Sequence, residues 1–299
     1  MFDTAPTLDC NGRPLVLDRA RVMGIVNVTP DSFSDGGAHD TVDAAFAHAL
    51  RLLEEGADIL DIGGESTRPG SAGVPVDEEL RRVVPLVERL ARETRVPISV
   101  DTSKPEVMRA AVDAGAGMIN DVYALRREGA LDAAAQAAVP VVLMHMLGEP
   151  RSMQDLPHYE DVSAEVQRFL AERIFAAEMA GIARSRLVVD PGFGFGKTTA
   201  HNVELLARMG RLAELGVPVL AGLSRKRSIG ELTGRDLPSA RAHGSVAAHL
   251  LAVQRGARIV RVHDVAGTVD ALRVWHAVEA VAVPRQGRSA PAMAWGDDD

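Results

Sequence analysis

The 299-residue chain is 46% hydrophobic but only 4% aromatic, so Val, Leu, Ile and Ala must fill its core, as suits an α/β protein with buried parallel strands. Its formal charge of -8, with Lys and Arg scattered, excludes the basic stripe of a nucleic-acid-binding protein; any anion must be held at a local site against a repulsive field. One cysteine, Cys10, permits no intrachain disulfide, and charged or glycine residues break every apolar run short of a membrane span, so a soluble cytoplasmic protein is expected.

The N-terminal stretch MFDTAPTLDCNG lacks the basic-then-apolar order of a signal peptide. Asn11-Gly12, inside Leu8–Leu15, is a two-residue hairpin signal ahead of the first long strand, and the hairpin is expected to cover one end of the fold. Short runs rich in β-branched residues then recur at Val22–Val26, Ile59–Ile62, Ile98–Val100, Met118–Ile119, Val139–Met144, Leu187–Val189, Val217–Leu220 and Ile259–Val262. Each is too short for a helix and reads as a buried strand. Helical patterns separate them at Thr41–Glu55, Asp77–Glu93, Pro105–Ala114, Ala164–Ala180, Asn202–Glu214 and Ser239–Arg255. A doubly wound open sheet shows the same alternation, but eight strands without a strong linker favour one α/β domain, a (β/α)8 TIM barrel over residues 1–283 with the hairpin across its bottom. The last residues, 284–299, have loop composition, end in three acids, and read as a disordered tail.

A barrel carries its functional residues just beyond the C-terminal ends of its strands. At those points the sequence places Asn27, Asp31 and Phe33; Asp61, Glu65, Thr67, Arg68 and Pro69; Asp101 and Ser103; Asn120 and Asp121; His145; Asp190, Phe195 and Lys197; Ser224, Arg225 and Lys226; and Arg261, His263 and Asp264. Helix capping could account for an Asp or Ser taken singly, but it needs no Arg, Lys or His there. Arg261 and His263 alternate along one strand and so share a face, a spacing that suits two donors on one anion.

MGIVNVTPDSFSDGG (Met23–Gly37) and DIGGESTRPG (Asp61–Gly70) resemble the two signature segments of the dihydropteroate synthase family. The likeness continues through SVDTSKPEV, MINDV, LMHMLGEPRSMQ, VVDPGFGFGKT, GLSRKR and IVRVHDV. It implies condensation of a dihydropterin methyl diphosphate with 4-aminobenzoate (p-aminobenzoate), releasing pyrophosphate, with both small molecules as the partners. By the same resemblance Asp190 accepts the pterin edge, Asp101, Asn120 and Lys226 meet its other polar atoms, and Arg261, His263 and Arg68, beside Thr67, hold the diphosphate. Asn27 matches the family's side-chain ligand for Mg2+. Phe33, Pro69 and Phe195 are by position the walls for the arylamine, and Ser228, near a helix start, could receive its carboxylate. The loops Val28–Gly37 and Ser66–Gly73, rich in Gly, Ser and Pro, are expected to move as lids. The family implies a homodimer through Ala240–Arg255 and Val269–Val281.

Two other functions keep the pterin grip: a pterin-dependent methyltransferase and a non-catalytic pterin-binding homologue. Neither needs Arg261, His263 and Arg68 together. The run Gly192–Thr198 is not a phosphate-binding P-loop, which requires four residues between its glycine and the Gly-Lys pair.

Overall fold

The eight apolar runs close into a parallel barrel in the computed structural model of the chain, which describes residues 5–28, 38–66, 73–148 and 157–282. Two short antiparallel strands, β1 (Thr7–Asp9) and β2 (Pro14–Val16), come first. Asn11 and Gly12 both adopt positive φ, 58° and 76°, at their turn, the backbone that an Asn-Gly hairpin accommodates. The barrel strands follow in ring order: β3 (Arg21–Asn27), β4 (Ile59–Gly63), β5 (Ile98–Asp101), β6 (Met118–Asp121), β7 (Val141–Met144), β8 (Leu187–Asp190), β9 (Val219–Ala221) and β10 (Ala257–Val262). The last, β10, pairs in parallel with β3 and closes the circle.

Outside lie α1 (Ala38–Glu54), α2 (Val76–Glu93), α3 (Pro105–Asp113), α4 (Ala130–Ala137), α5 (Val162–Met179), α6 (Thr199–Ala207), α7 (Arg227–Thr233), α8 (Ala242–Gln254) and α9 (Val265–Ala282). Two expected helices are shorter than their patterns. Helix α6 stops at Ala207 and the chain continues as a 3₁₀ segment over Met209–Leu215, while Pro238–Arg241 forms a separate 3₁₀ turn before α8. Helices α4 and α7 have no counterpart in the periodicity. They are eight and seven residues long, and α4 buries only alanines, so neither builds a long apolar stripe.

Parallel register explains where the site must lie. Met23, Ile59, Met118, Val142, Val188, Leu220 and Ile259 form one inward layer, packed with Leu8, Cys10, Leu15 and Leu17 of the hairpin segment. The hairpin therefore plugs the N-terminal end of the barrel. Contact is tight enough that a Cβ on Gly117 would lie 2.3 Å from the Cys10 carbonyl oxygen. Two residues further along the strands, the same inward face carries Asp61, Asn120, Met144, Asp190 and Arg261. The alternate, outward residues, among them Leu60, Ile62, Val100, Ile119, Leu143, Val189 and Val260, join the large aliphatic core beneath the helices. The expected disordered tail and most of both lid loops lie outside the described residues.

Candidate active site

Charge gathers at the open end around one arginine. Arg261 donates from Nε to Asp61 Oδ2 at 2.6 Å and from Nη2 to Asp101 Oδ2 at 2.7 Å. Asn120 Nδ2 donates to the same Asp61 oxygen at 3.2 Å, which turns the amide oxygen of Asn120 away from Asp61. Asp61, Asp101 and Asn120 are all buried, whereas the Arg261 side chain keeps 20% exposure at the mouth. Burial pushes the Asp101 carboxyl up to about 7; Arg261 opposes the rise and Asp61 adds to it. For Arg261 burial alone would lower the pKa, but Asp61 and Asp101 outweigh it and the guanidinium is held charged. Asp121 has a different task. It accepts from the Ser103 hydroxyl and from the Tyr123 and Leu125 amides, and so shapes the loop after β6.

Asp190 ends β8, and its Oδ1 accepts the Gly192 N–H at 2.7 Å. Its other oxygen lies 3.8 Å from where a Cβ on Gly222 would stand, so this glycine leaves the carboxylate uncovered from the β9 side. Burial raises Asp190 to about 6, with the Gly192 amide and then Lys226, Arg261 and Lys197 pulling it down. The loop that follows passes so close to β7 that a Cβ on Gly192 would meet the His145 carbonyl oxygen at 1.8 Å. Phe195 is buried in this loop, and Lys226 Nζ stands 4.2 Å from the centre of its ring, a cation–π contact.

The loop after β9 is held from α8, where Ser245 Oγ accepts the Arg225 N–H and His249 Nε2 accepts the Leu223 N–H. Arg225 adopts φ 55° and forms a two-point pair with Asp264 at 3.0 and 2.5 Å. These contacts leave Lys226 as the residue before α7 and Ser228 buried in its first turn. Ser224 Oγ accepts the His263 backbone N–H at 3.1 Å and lies 2.9 Å from His263 Nδ1. Burial first, then Arg261 and Arg225, lower His263 to about 3, so the ring is neutral and has one nitrogen to donate.

Asn27 ends β3 half-buried. A Cβ on Gly63 would sit 3.6 Å from Asn27 Oδ1 and 3.8 Å from Asp101 Oδ2, so glycine opens a small cradle flanked by two oxygens. Asn27 Oδ1 is a hard donor of the kind that suits a divalent cation, while Asp101 Oδ2 already accepts from Arg261; the other ligands of such an ion would come from substrate oxygens and water. No group of three or more acidic, His or Cys side chains that could hold a metal occurs among the described residues.

The structure thus gathers Asn27, Asp101, Asn120, Asp190, Phe195, Lys226, Ser228, Arg261 and His263 at one end of the barrel. Phe33, Thr67, Arg68 and Pro69 fall outside the described residues. Sequence reasoning gave no role to Asp61 or Lys197. For Asp61 the signal was available, because it lies two residues beyond inward-facing Ile59. For Lys197 only its place after a strand end was legible, since its partners come from His145 and from loop carbonyls.

Residues 23–263 match the family described as pterin binding enzyme. The dihydropteroate synthase of Escherichia coli strain K12 is 52% identical over 267 residues, covering 89% of this chain and 94% of the relative. Xanthomonas albilineans dihydropteroate synthase, solved with 4-aminobenzoic acid, shares 74% identity at a TM-score of 0.89, covering 94% of this chain and all of that one. The same enzyme solved with 7,8-dihydropteroate superposes at a TM-score of 0.85 with 71% identity, over 93% of this chain and 100% of that one.

Proposed function

The chain belongs to the dihydropteroate synthase family of pterin binding enzymes and catalyses that family's condensation, and we propose that the strand-end residues around Arg261 carry it out. The substrates are (7,8-dihydropterin-6-yl)methyl diphosphate and 4-aminobenzoate, and the products are 7,8-dihydropteroate and pyrophosphate. One observation carries the assignment of roles: buried Asp190, Asp101 and Asn120 meet Arg261 and Lys226 at a single mouth.

Asp190 accepts the lactam N–H and exocyclic amine of the pterin, a charge-assisted pair. Its Oδ1 keeps a lone pair beyond the Gly192 bond, so both oxygens take part. Asn120 presents its carbonyl oxygen and Asp101 its free Oδ1 to the ring's other polar atoms, while Lys226 donates to the pterin carbonyl. Arg261 and the neutral His263 grip the diphosphate, with Arg68 as a third donor. Negative charge grows on that group as the C–O bond breaks, and donors fixed beforehand stabilise it without reorganising. Mg2+ held at Asn27 would neutralise part of the same charge. The arylamine nitrogen attacks the methylene carbon; an aniline is already nucleophilic, so positioning against Phe195, Phe33 and Pro69 suffices and no side chain need serve as a strong base. Ser228 receives the carboxylate of 4-aminobenzoate. We further propose a homodimer through residues 240–255 and 269–281, and a cytoplasmic location on the strength of a lone, buried cysteine.

The test is direct. Purified protein is incubated with the pterin diphosphate, Mg2+ and radiolabelled 4-aminobenzoate, and dihydropteroate and pyrophosphate are counted. Stoichiometric product from the native chain, lowered by roughly 100-fold or more in Arg261→Ala and Asp190→Ala, is expected for charged groups that touch the reacting molecule. Full activity in either variant would remove that residue from the site.

A further inference from the structure

We propose that Lys197 is a positioning residue whose buried side-chain nitrogen fixes the loop after β8 and, through it, the Phe195 wall for 4-aminobenzoate. The proposal rests on the placing of 4-aminobenzoate against Phe195.

Lys197 lies below the mouth, 3% exposed, and no ion pair reaches it among the described residues. Its Nζ donates to the Gly192 carbonyl at 2.9 Å and to the Phe195 carbonyl at 3.1 Å, and lies 2.9 Å from His145 Nδ1. An ammonium has three donors and no acceptor. Two carbonyl acceptors and, with its ring proton on Nε2, His145 Nδ1 surround this one, so its hydrogen-bonding partners are all neutral dipoles. The histidine is itself fixed: its backbone N–H donates to the Asp190 carbonyl at 2.9 Å, and its ring meets Phe169 edge-on at 4.9 Å. Lys197 therefore ties the end of β7 to the start and the apex of the next loop.

Loss of the lysine would not fall evenly on that loop. The Gly192 carbonyl also accepts the Phe195 N–H at 3.1 Å, the Gly196 carbonyl accepts the Tyr159 hydroxyl at 2.8 Å, and the Gly194 N–H donates to Asn202 at 2.8 Å. For the Phe195 carbonyl, Lys197 is the partner among the described residues. Asp190 is anchored separately by β8 and the Gly192 N–H. Removing Lys197 thus frees the Phe195 carbonyl, on the residue whose ring faces Lys226, while the Asp190 side chain keeps its Gly192 bond and loses only the charge by which Lys197 favours its ionised form.

The experiment is a double-mutant cycle of Lys197→Met and Phe195→Ala, with KM for each substrate, kcat and Tm measured for all four proteins. Assayed at about pH 8, where Asp190 stays ionised without the charge of Lys197, Lys197→Met is expected to raise KM for 4-aminobenzoate by roughly tenfold, the scale of one charge-assisted hydrogen bond, with kcat and KM for the pterin diphosphate within about threefold of native. In the Phe195→Ala background the same change should add nothing, because its route is already gone. An unchanged KM for 4-aminobenzoate, an equal rise for both substrates, or additive effects in the double variant would each overturn the proposal. Phe195→Ala that leaves KM for 4-aminobenzoate untouched would instead sink the reading beneath it, and is seen separately in the single variant. Should Lys197→Met fail to fold, His145→Ala removes one acceptor, leaves the lysine, and is read by the same cycle at smaller amplitude.

Discussion

Asp190 has an ordinary pKa of 3.8 that burial raises to about 6 in the free protein. Because the folded value lies above the unfolded one, the stability this group contributes is present below about 4 and is lost as pH rises through about 6. Ligand binding runs the other way, since only the carboxylate accepts two donors from a pterin edge. Affinity for the pterin diphosphate should therefore fall about tenfold per pH unit on acidification below 6, as one obligatory proton loss requires. Calorimetric titration of the native protein and Asp190→Asn between pH 5 and about 8 checks it; a native profile as flat as the variant's would disprove the coupling. The polar residues around this site were legible from their places at the strand ends, and their roles only through the family resemblance. That Asp101 is shared with Arg261, and Arg261 with Asp61, was not.

Among the elements, the β8-to-α6 connection is closely constrained. Its three glycines, Gly192, Gly194 and Gly196, all have positive φ; a Cβ would meet a backbone oxygen at 2.6 Å on Gly196 and, closest of the three, at 1.8 Å on Gly192. Gly192→Ala must move β7 or the loop and is expected to destabilise the fold by about 3 kcal/mol or more, from left-handed strain and overpacking together. A fall in the urea midpoint at constant m measures it, and a change below about 1 kcal/mol would show that the two strands separate easily. The sequence marked this run as a barrel loop and not a P-loop. It could not mark α4 or α7, whose few buried residues, Ala130, Ala133 and Ala134 or Ser228, Ile229 and Gly230, leave no long apolar period. Nor did it foretell that His249 on α8 would support the Leu223 amide, because that bond spans separate elements.

At the scale of the whole molecule, the proposed dimer face has a specific consequence. Val274, Val278 and Val281 on α9 are 67%, 60% and 85% exposed, and Leu251 on α8 is 41% exposed. Replacing Val274 and Val278 together by Asp should convert a dimer to a monomer in sedimentation equilibrium, since a charge in an apolar interface core is strongly disfavoured. An unchanged mass in the double variant would place the interface elsewhere. The sequence by itself determined the eightfold alternation, the hairpin ahead of it and the ring of polar residues at the strand ends. Each of these is written in local periodicity and in the order of strand, loop and helix, which few neighbouring residues suffice to set. Tertiary structure decided the pairings: Arg261 reaches carboxylates 200 and 160 residues earlier, and Lys197 meets a histidine 52 residues away. It decided the protonation states too, because the raised Asp101 and Asp190 and the neutral His263 follow from burial and from charges on other strands. Closure of the barrel brings those groups together, and no local segment carries that information.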